Sequence, residues 1–343
     1  MQAPKSYTIP FALLLLGLML CFGINISLGS VAIPFMDTIQ TLFYEPSTNE
    51  TWGYIIWNYR IPKALTAVLV GGGLALSGLL MQTLFRNPLA GPFVLGISSG
   101  ASLGAALLIM GSSFFSGFFT FGLVNDISLA IVSSIGSFLV LMAVMAVASR
   151  VKDTMALLII GLMFGSITAA VVSVLSYFTN AEKLQQYIYW SFGSLGNLSW
   201  PQLGLLFVII IVGILLSIAA IKSLNAMLLG ENYARSLGVD IIKKRFLIIL
   251  ATGLLAGGIT AFAGPIAFVG LAVPHLTRQI FNTTDHKILV PAVLLYGAIL
   301  MLVCDTIAQL PTSANVLPIN AITSIIGAPV VIWLLVRKRN MVF

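Results

Sequence analysis

Charge is scarce in this chain. Seventeen basic side chains, ten carboxylates and two histidines serve 343 residues, so charged residues make up only 8% of the whole. Soluble domains carry roughly a quarter, and that class is excluded. Cysteine is nearly absent too: Cys21 and Cys304 lie far apart, each inside an apolar run, so neither a disulfide nor a metal role is expected. His275 and His286 are isolated, with no HExxH or Cys/His cluster around them. Paired carboxylates, a D-x-x-x-D cluster and a zinc signature are missing, which argues against an intramembrane protease, prenyltransferase or lipid phosphatase. GxxxxGK[ST] is missing as well, so the chain has no phosphate-cradling loop. No catalytic or metal-ligating residue is expected.

Hydrophobic residues fill the space: 59% of the chain, with a mean hydropathy of +1.06. Lipid is the solvent such a composition demands. A spanning helix needs about 20 apolar residues. Apolar runs between charged or Pro/Gly-rich breaks place spans at 11–31, 62–83, 92–110, 124–148, 154–177, 201–221, 246–263, 265–280, 288–309 and 319–336. The 265–280 run is the weakest, being short and interrupted by Pro274. The expected fold is all-α, a polytopic transmembrane bundle of about ten spans, with 1–343 as one domain. The apolar run from Phe11 to Phe22 follows Lys5, but Leu20 precedes Cys21 where a cleavage site wants a small residue. It reads as an uncleaved first span.

Charge orients the bundle. With a cytoplasmic N-terminus, fourteen Lys and Arg fall inside and only Arg60, Lys63 and Lys183 outside, the asymmetry that sets topology. Both termini are then cytoplasmic. The net charge of +7 reports this orientation, and nucleic acid is not an expected partner. Small residues recur on a helical period, as in Gly96, Gly100 and Gly104, and in Gly71, Gly72, Gly73, Ala75 and Gly78. They serve close helix packing or line a permeation path.

The most informative stretch is 222–245, KSLNAMLLGENYARSLGVDIIKKR, a charged loop within an oily chain. Gly230 and Gly238 bracket a short polar helix containing Glu231, Tyr233, Arg235 and Leu237. Glycine starts and stops such a helix cleanly, and an acid near its N-terminus suits the helix dipole. A rigid, exposed polar helix on a membrane protein implies a partner docking there. At the other face, Arg60-Ile61-Pro62-Lys63 opens the second span. Its two cations either anchor the helix at the headgroups or face an acidic partner.

RIPKALTAVLVGGGLALSGLLMQTLFRNPLAGPFVLGISSGASLGA, LGENYARSLGV, AFAGPIAFVGLAVPHLTR, DHKILVP and LPINAITSIIGAPVVIWLLVRKR, in this order, resemble the FecCD-type permease family. Those are membrane subunits of ABC importers for iron-siderophores, haem and vitamin B12. The resemblance covers roughly Arg60 to Arg339. It implies a permease domain in the inner or cytoplasmic membrane, paired with a second copy or a sister permease. It also implies two cytoplasmic ABC ATPase subunits, which carry ATP and magnesium, and an extracytoplasmic solute-binding protein. No cofactor is implied on this chain. Ferric siderophore is the first expected cargo, then cobalamin, then haem.

Position by position, Glu231 matches the acid of the family's ATPase-coupling helix and is expected to be exposed on the docking loop. Arg60 and Lys63 match its outer basic pair, which meets the binding protein. A third family cation is replaced here by Gln309, just before Leu310-Pro311. Thr154 and Met155 fall where the B12 branch places a cytoplasmic gate, although Thr154 also suits a helix N-cap. Asp305 is the one carboxylate placed inside a hydrophobic span. It is either a functional intramembrane acid or simply solvated near the interface. The rival from another class is an ion-coupled secondary transporter, in which Asp305 would have to act alone.

Overall fold

Apolar residues of high helix propensity build α-helices almost throughout, and no strand occurs among the described residues. The computed structural model describes residues 7–43, 50–111, 126–148, 150–151, 154–310, 313 and 315–336, without the side chains of Phe43, Asp126, Thr154, Leu334 and Leu335. In chain order the helices are α1 (Thr8–Ser27), α2 (Phe35–Phe43), α3 (Glu50–Ile55), α4 (Ile61–Phe85), α5 (Ile97–Ile109), α6 (Asp126–Ala148) and α7 (Thr154–Phe178). Then follow α8 (Ala181–Ser191), α9 (Trp200–Leu228), α10 (Glu231–Ser236), α11 (Ile241–Ala263), α12 (Val269–Phe281), α13 (His286–Ala308) and α14 (Ile319–Val336).

Among the described residues, seven helical segments are long and apolar enough to cross a membrane: α1, the continuous run Glu50–Phe85, α6, α7, α9, α11 and α13. The run through Glu50–Phe85 starts earlier than the span expected at 62–83. A π-turn at Ile56–Arg60 joins α3 to α4, so Pro62 does not begin a helix but sits just past the π-turn. The Trp57 carbonyl in that turn accepts from the Trp200 indole at 3.1 Å. An outside donor thus satisfies a group released by the widened turn.

Two expected spans become α-helical only after their first four or five residues. The run 92–110 begins with a 3-10 turn, Pro92–Leu95, and reaches α5 through Gly96 at φ 68°. The run 265–280 begins as irregular chain and enters α12 through Phe268 at φ 66°. Prolines 92 and 265 have no N–H to give a helix. Irregular backbone inside a bundle survives only where protein satisfies it. Here Asn320 Oδ1 accepts from the Ala267 N–H at 3.0 Å, and the Ala263 carbonyl at the end of α11 accepts from the Ser194 N–H at 2.9 Å.

α4 lies at the centre, with 83% of its spanning window buried, packed against α9, α11, α12 and α13. Its glycines explain how. Gly71 faces Gly297 of α13 so closely that a Cβ on either would overlap the other's backbone. Gly100 of α5 meets Gly136 of α6 in the same way. The small-residue period therefore serves helix contact at these positions, which is how lipid-embedded helices gain packing energy.

Candidate functional sites at the two ends of the bundle

At one end, α9 runs out at Leu228 and the chain turns through Gly230, whose φ of 110° suits glycine alone, into α10. Gly238, at φ 80°, releases it toward α11. Ala234 is fully buried and its carbonyl accepts from the Val239 N–H at 3.0 Å, which seats the short helix on the bundle. Tyr233 and Leu237 are 50% and 59% exposed, and Arg235 is exposed beside them. Asp240 caps α11 by accepting from the Lys243 N–H at 3.1 Å, and that bond holds its carboxyl below the ordinary range.

Glu231 departs from expectation. It is half-buried rather than open, with Oε1 2.9 Å from Nη2 of Arg245, a residue of α11 that is itself 5% exposed. Nη1 of Arg245 donates to the Val151 carbonyl at 3.1 Å. The physical reason is the arginine: a guanidinium so enclosed needs a counter-charge, and Glu231 supplies it. Thr154 starts α7, its side chain lying outside the described ones, while Met155 is 56% exposed. The motif residues Lys152 and Asp153 lie outside the described residues.

A second cluster at this end is built on the DHKILVP motif, to which the sequence assigned no role. His286, fully buried, lies between Asn225 Oδ1 at 2.6 Å and Thr83 Oγ1 at 2.8 Å, joining α13 to α9 and α4. Asp285 accepts from Asn225 Nδ2 at 2.7 Å and from the Lys287 N–H at 2.9 Å, capping α13. The cap was findable from an Asp before an apolar run. The histidine's partners, 61 and 203 residues away, were not.

At the opposite end the basic pair is drawn inward. Arg60 is 8% exposed, and its guanidinium donates to the carbonyls of Ile26 and Ser27, each at 2.8 Å, and to that of Val31. It caps the end of α1, whose last carbonyls have no helical donor. Lys63 Nζ lies 3.2 Å from Asp305 Oδ1. Asp305 Oδ2 accepts from Asn25 Nδ2 at 2.9 Å and Gln309 Nε2 at 2.7 Å. Asp305 is therefore neither solvated nor alone: it is 2% exposed, with a cation and two amides around it. Gln309 adds a donor without adding a second positive charge. These side chains line one wall of a cavity of about 490 Å³ that also touches Tyr59 and Asn197.

Long apolar helices around a glycine-packed centre, with a polar helix projecting at one end, define a multi-pass membrane protein of transporter type. A solved ABC transporter assigned to the metal-chelate type, in an inward-facing conformation, matches over 97% of this chain and 100% of its own, with a TM-score of 0.83 and 31% identity. The sequence pattern of the FecCD transport family matches residues 15–337, and the chain belongs to that family. It is similar to the vitamin B12 import system permease protein BtuC of Klebsiella pneumoniae subsp. pneumoniae, 39% identical over 286 residues, 83% of each chain. The protein of the same name from Salmonella typhi is 37% identical over 286 residues, 83% of this chain and 84% of its own.

Proposed function

We propose that this chain is the membrane permease subunit of an ATP-driven importer for a metal chelate. The observation that carries the reading is α10, glycine-bounded and seated through Ala234, with Tyr233, Arg235 and Leu237 turned outward. On this reading 1–343 is one permease domain of ten spans, with α5, α12 and α14 counted among them. Both termini face the cytoplasm, and the chain sits in the inner or cytoplasmic membrane beside a second copy. Two ABC ATPase subunits, which hold ATP and magnesium, dock on α10. The chain itself does no chemistry. Differences in binding between nucleotide states drive the cycle.

A solute-binding protein docks at the opposite end. Lys63 supplies charge there, and Arg60 acts through the 26–31 loop it holds. The solute then descends beside α7, whose exposed face carries Ser166 and Ser173 among apolar residues, and leaves past Thr154 and Met155. Cobalamin is the first candidate cargo, since the relatives carry that name, and ferric siderophore the second, since the similar structure belongs to the metal-chelate type. Affinity purification of the tagged chain from its native membrane tests this. Recovery of an ABC ATPase and a solute-binding protein is expected, and titrating that protein with cobalamin and ferric siderophores identifies the cargo. A chain recovered alone that transports on a proton or sodium gradient without ATP would sink the reading.

A further inference from the structure

Arg245 stands where two segments with separate expected roles come together. It lies near the start of α11, and its guanidinium forks: Nη2 reaches Glu231 on α10 at 2.9 Å, and Nη1 reaches the Val151 carbonyl at 3.1 Å. Val151 lies three residues before Thr154, where α7 begins. Glu231 and Arg245 are 14 residues apart in the chain, Arg245 and Val151 94 apart. Local sequence therefore does not account for the junction.

We infer that Arg245 is a positioning residue that ties the docking helix α10 to the segment leading into α7, so that displacement of α10 is passed to the inner end of the pathway. The inference rests on the reading that α10 docks an ATPase. A guanidinium is planar and its donors keep a fixed angle, so the two contacts are held in one geometry. The charge is enclosed, and Glu231 brings a carboxylate to it. α10 therefore moves together with Arg245 or loses that pairing. Gly230 and Gly238 bracket α10 with torsions open to glycine, which lets the helix shift as a unit. Lysine in place of Arg245 keeps the charge but offers one nitrogen where the fork needs two. It retains Glu231 and releases Val151.

Hydrogen exchange on the full chain in lipid nanodiscs tests the fork directly. In Arg245→Lys, peptides across 150–158 should exchange about fivefold faster while α10 keeps its protection. In Arg245→Gln both regions should loosen. If Arg245→Gln does not accumulate, the lysine variant decides alone. Unchanged exchange across 150–158 in the lysine variant overturns the tie. A second arm adds the copurified ATPase and a non-hydrolysable ATP analogue. The wild-type chain should then change protection in both regions, and Arg245→Lys in α10 only. A nucleotide response that reaches 150–158 equally in Arg245→Lys overturns the transmission. The two failures are separable: altered exchange without any retained ATPase removes docking, and with it transmission, but leaves the fork; retained ATPase with unaltered exchange removes the fork but leaves docking.

Discussion

Each end of this bundle encloses an arginine, and the two are held by different kinds of partner. Arg60 donates only to main-chain carbonyls, at Ile26, Ser27 and Val31. Arg245 donates both to a carbonyl and to the carboxylate of Glu231, on a short helix flanked by glycines. Carbonyls at a helix end are fixed features that always need a donor, so Arg60 forms a permanent clamp joining α1 to α4. A carboxylate on α10 belongs to a separate short helix, so its position follows that helix. One arginine closes a helix end; the other joins two segments, one of them through a charged pair.

The largest expected effect tests the permanent clamp. Arg60→Ala leaves three carbonyls without their donor and should cost about 3 kcal/mol or more of stability in denaturant unfolding of the detergent-solubilised chain. A loss under about 1 kcal/mol would mean that water replaces the guanidinium and that the clamp is ordinary. Next comes the neighbouring pair. Asp305→Asn keeps partners for Asn25 and Gln309 but strips Lys63 of its counter-charge, for about 2 kcal/mol. Combined with Lys63→Met, the double-mutant cycle should show a coupling of about 1 kcal/mol. Additive losses would show that the 3.2 Å approach contributes no net energy.

At the other end effects on stability shrink while effects on function grow, and that contrast is the sharper test. Glu231→Ala should cost about 1 kcal/mol, because its carboxylate is only partly enclosed. It should also lower uptake per ATP hydrolysed in reconstituted vesicles by about tenfold. Equal proportional losses in fold and uptake would make Glu231 a clamp like Arg60. Leu237→Ala should change stability by no more than about 0.5 kcal/mol, since the side chain is largely exposed. It should still weaken ATPase retention in a pull-down by about tenfold. Undiminished retention would move the docking surface away from α10.

Several features were legible residue by residue. The 3.6-residue pattern is invisible in uniformly apolar spans, yet length and hydropathy located the long apolar helices, while α2, α3 and α8 went unread and α9 runs on to Leu228, seven residues past the expected end. Gly230 and Gly238 marked α10; Asp240 and Asp285, which cap α11 and α13, were local signals left unread, and the spans were begun several residues late at 246 and 288. These are local matters, decided by torsions and by donors within three or four residues. Hydropathy misjudged the starts of 92–110 and 265–280, because an apolar run does not say whether proline and glycine have kept its first quarter out of the α-helix. It also placed Arg60 and Glu231 at open surfaces, where the structure puts neither.

The chain's own residues determined that the protein lives in lipid, where its long apolar helices lie, and which loop carries a short polar helix, since composition and short-range geometry suffice for each. Tertiary structure decided the state of every charge that matters. Lys63 found Asp305 across 242 positions, Arg60 found the end of α1, and Arg245 found both Glu231 and Val151. A charge taken from water must meet a partner wherever the packed helices bring one, and those meetings depend on which backbones the glycines allow to touch.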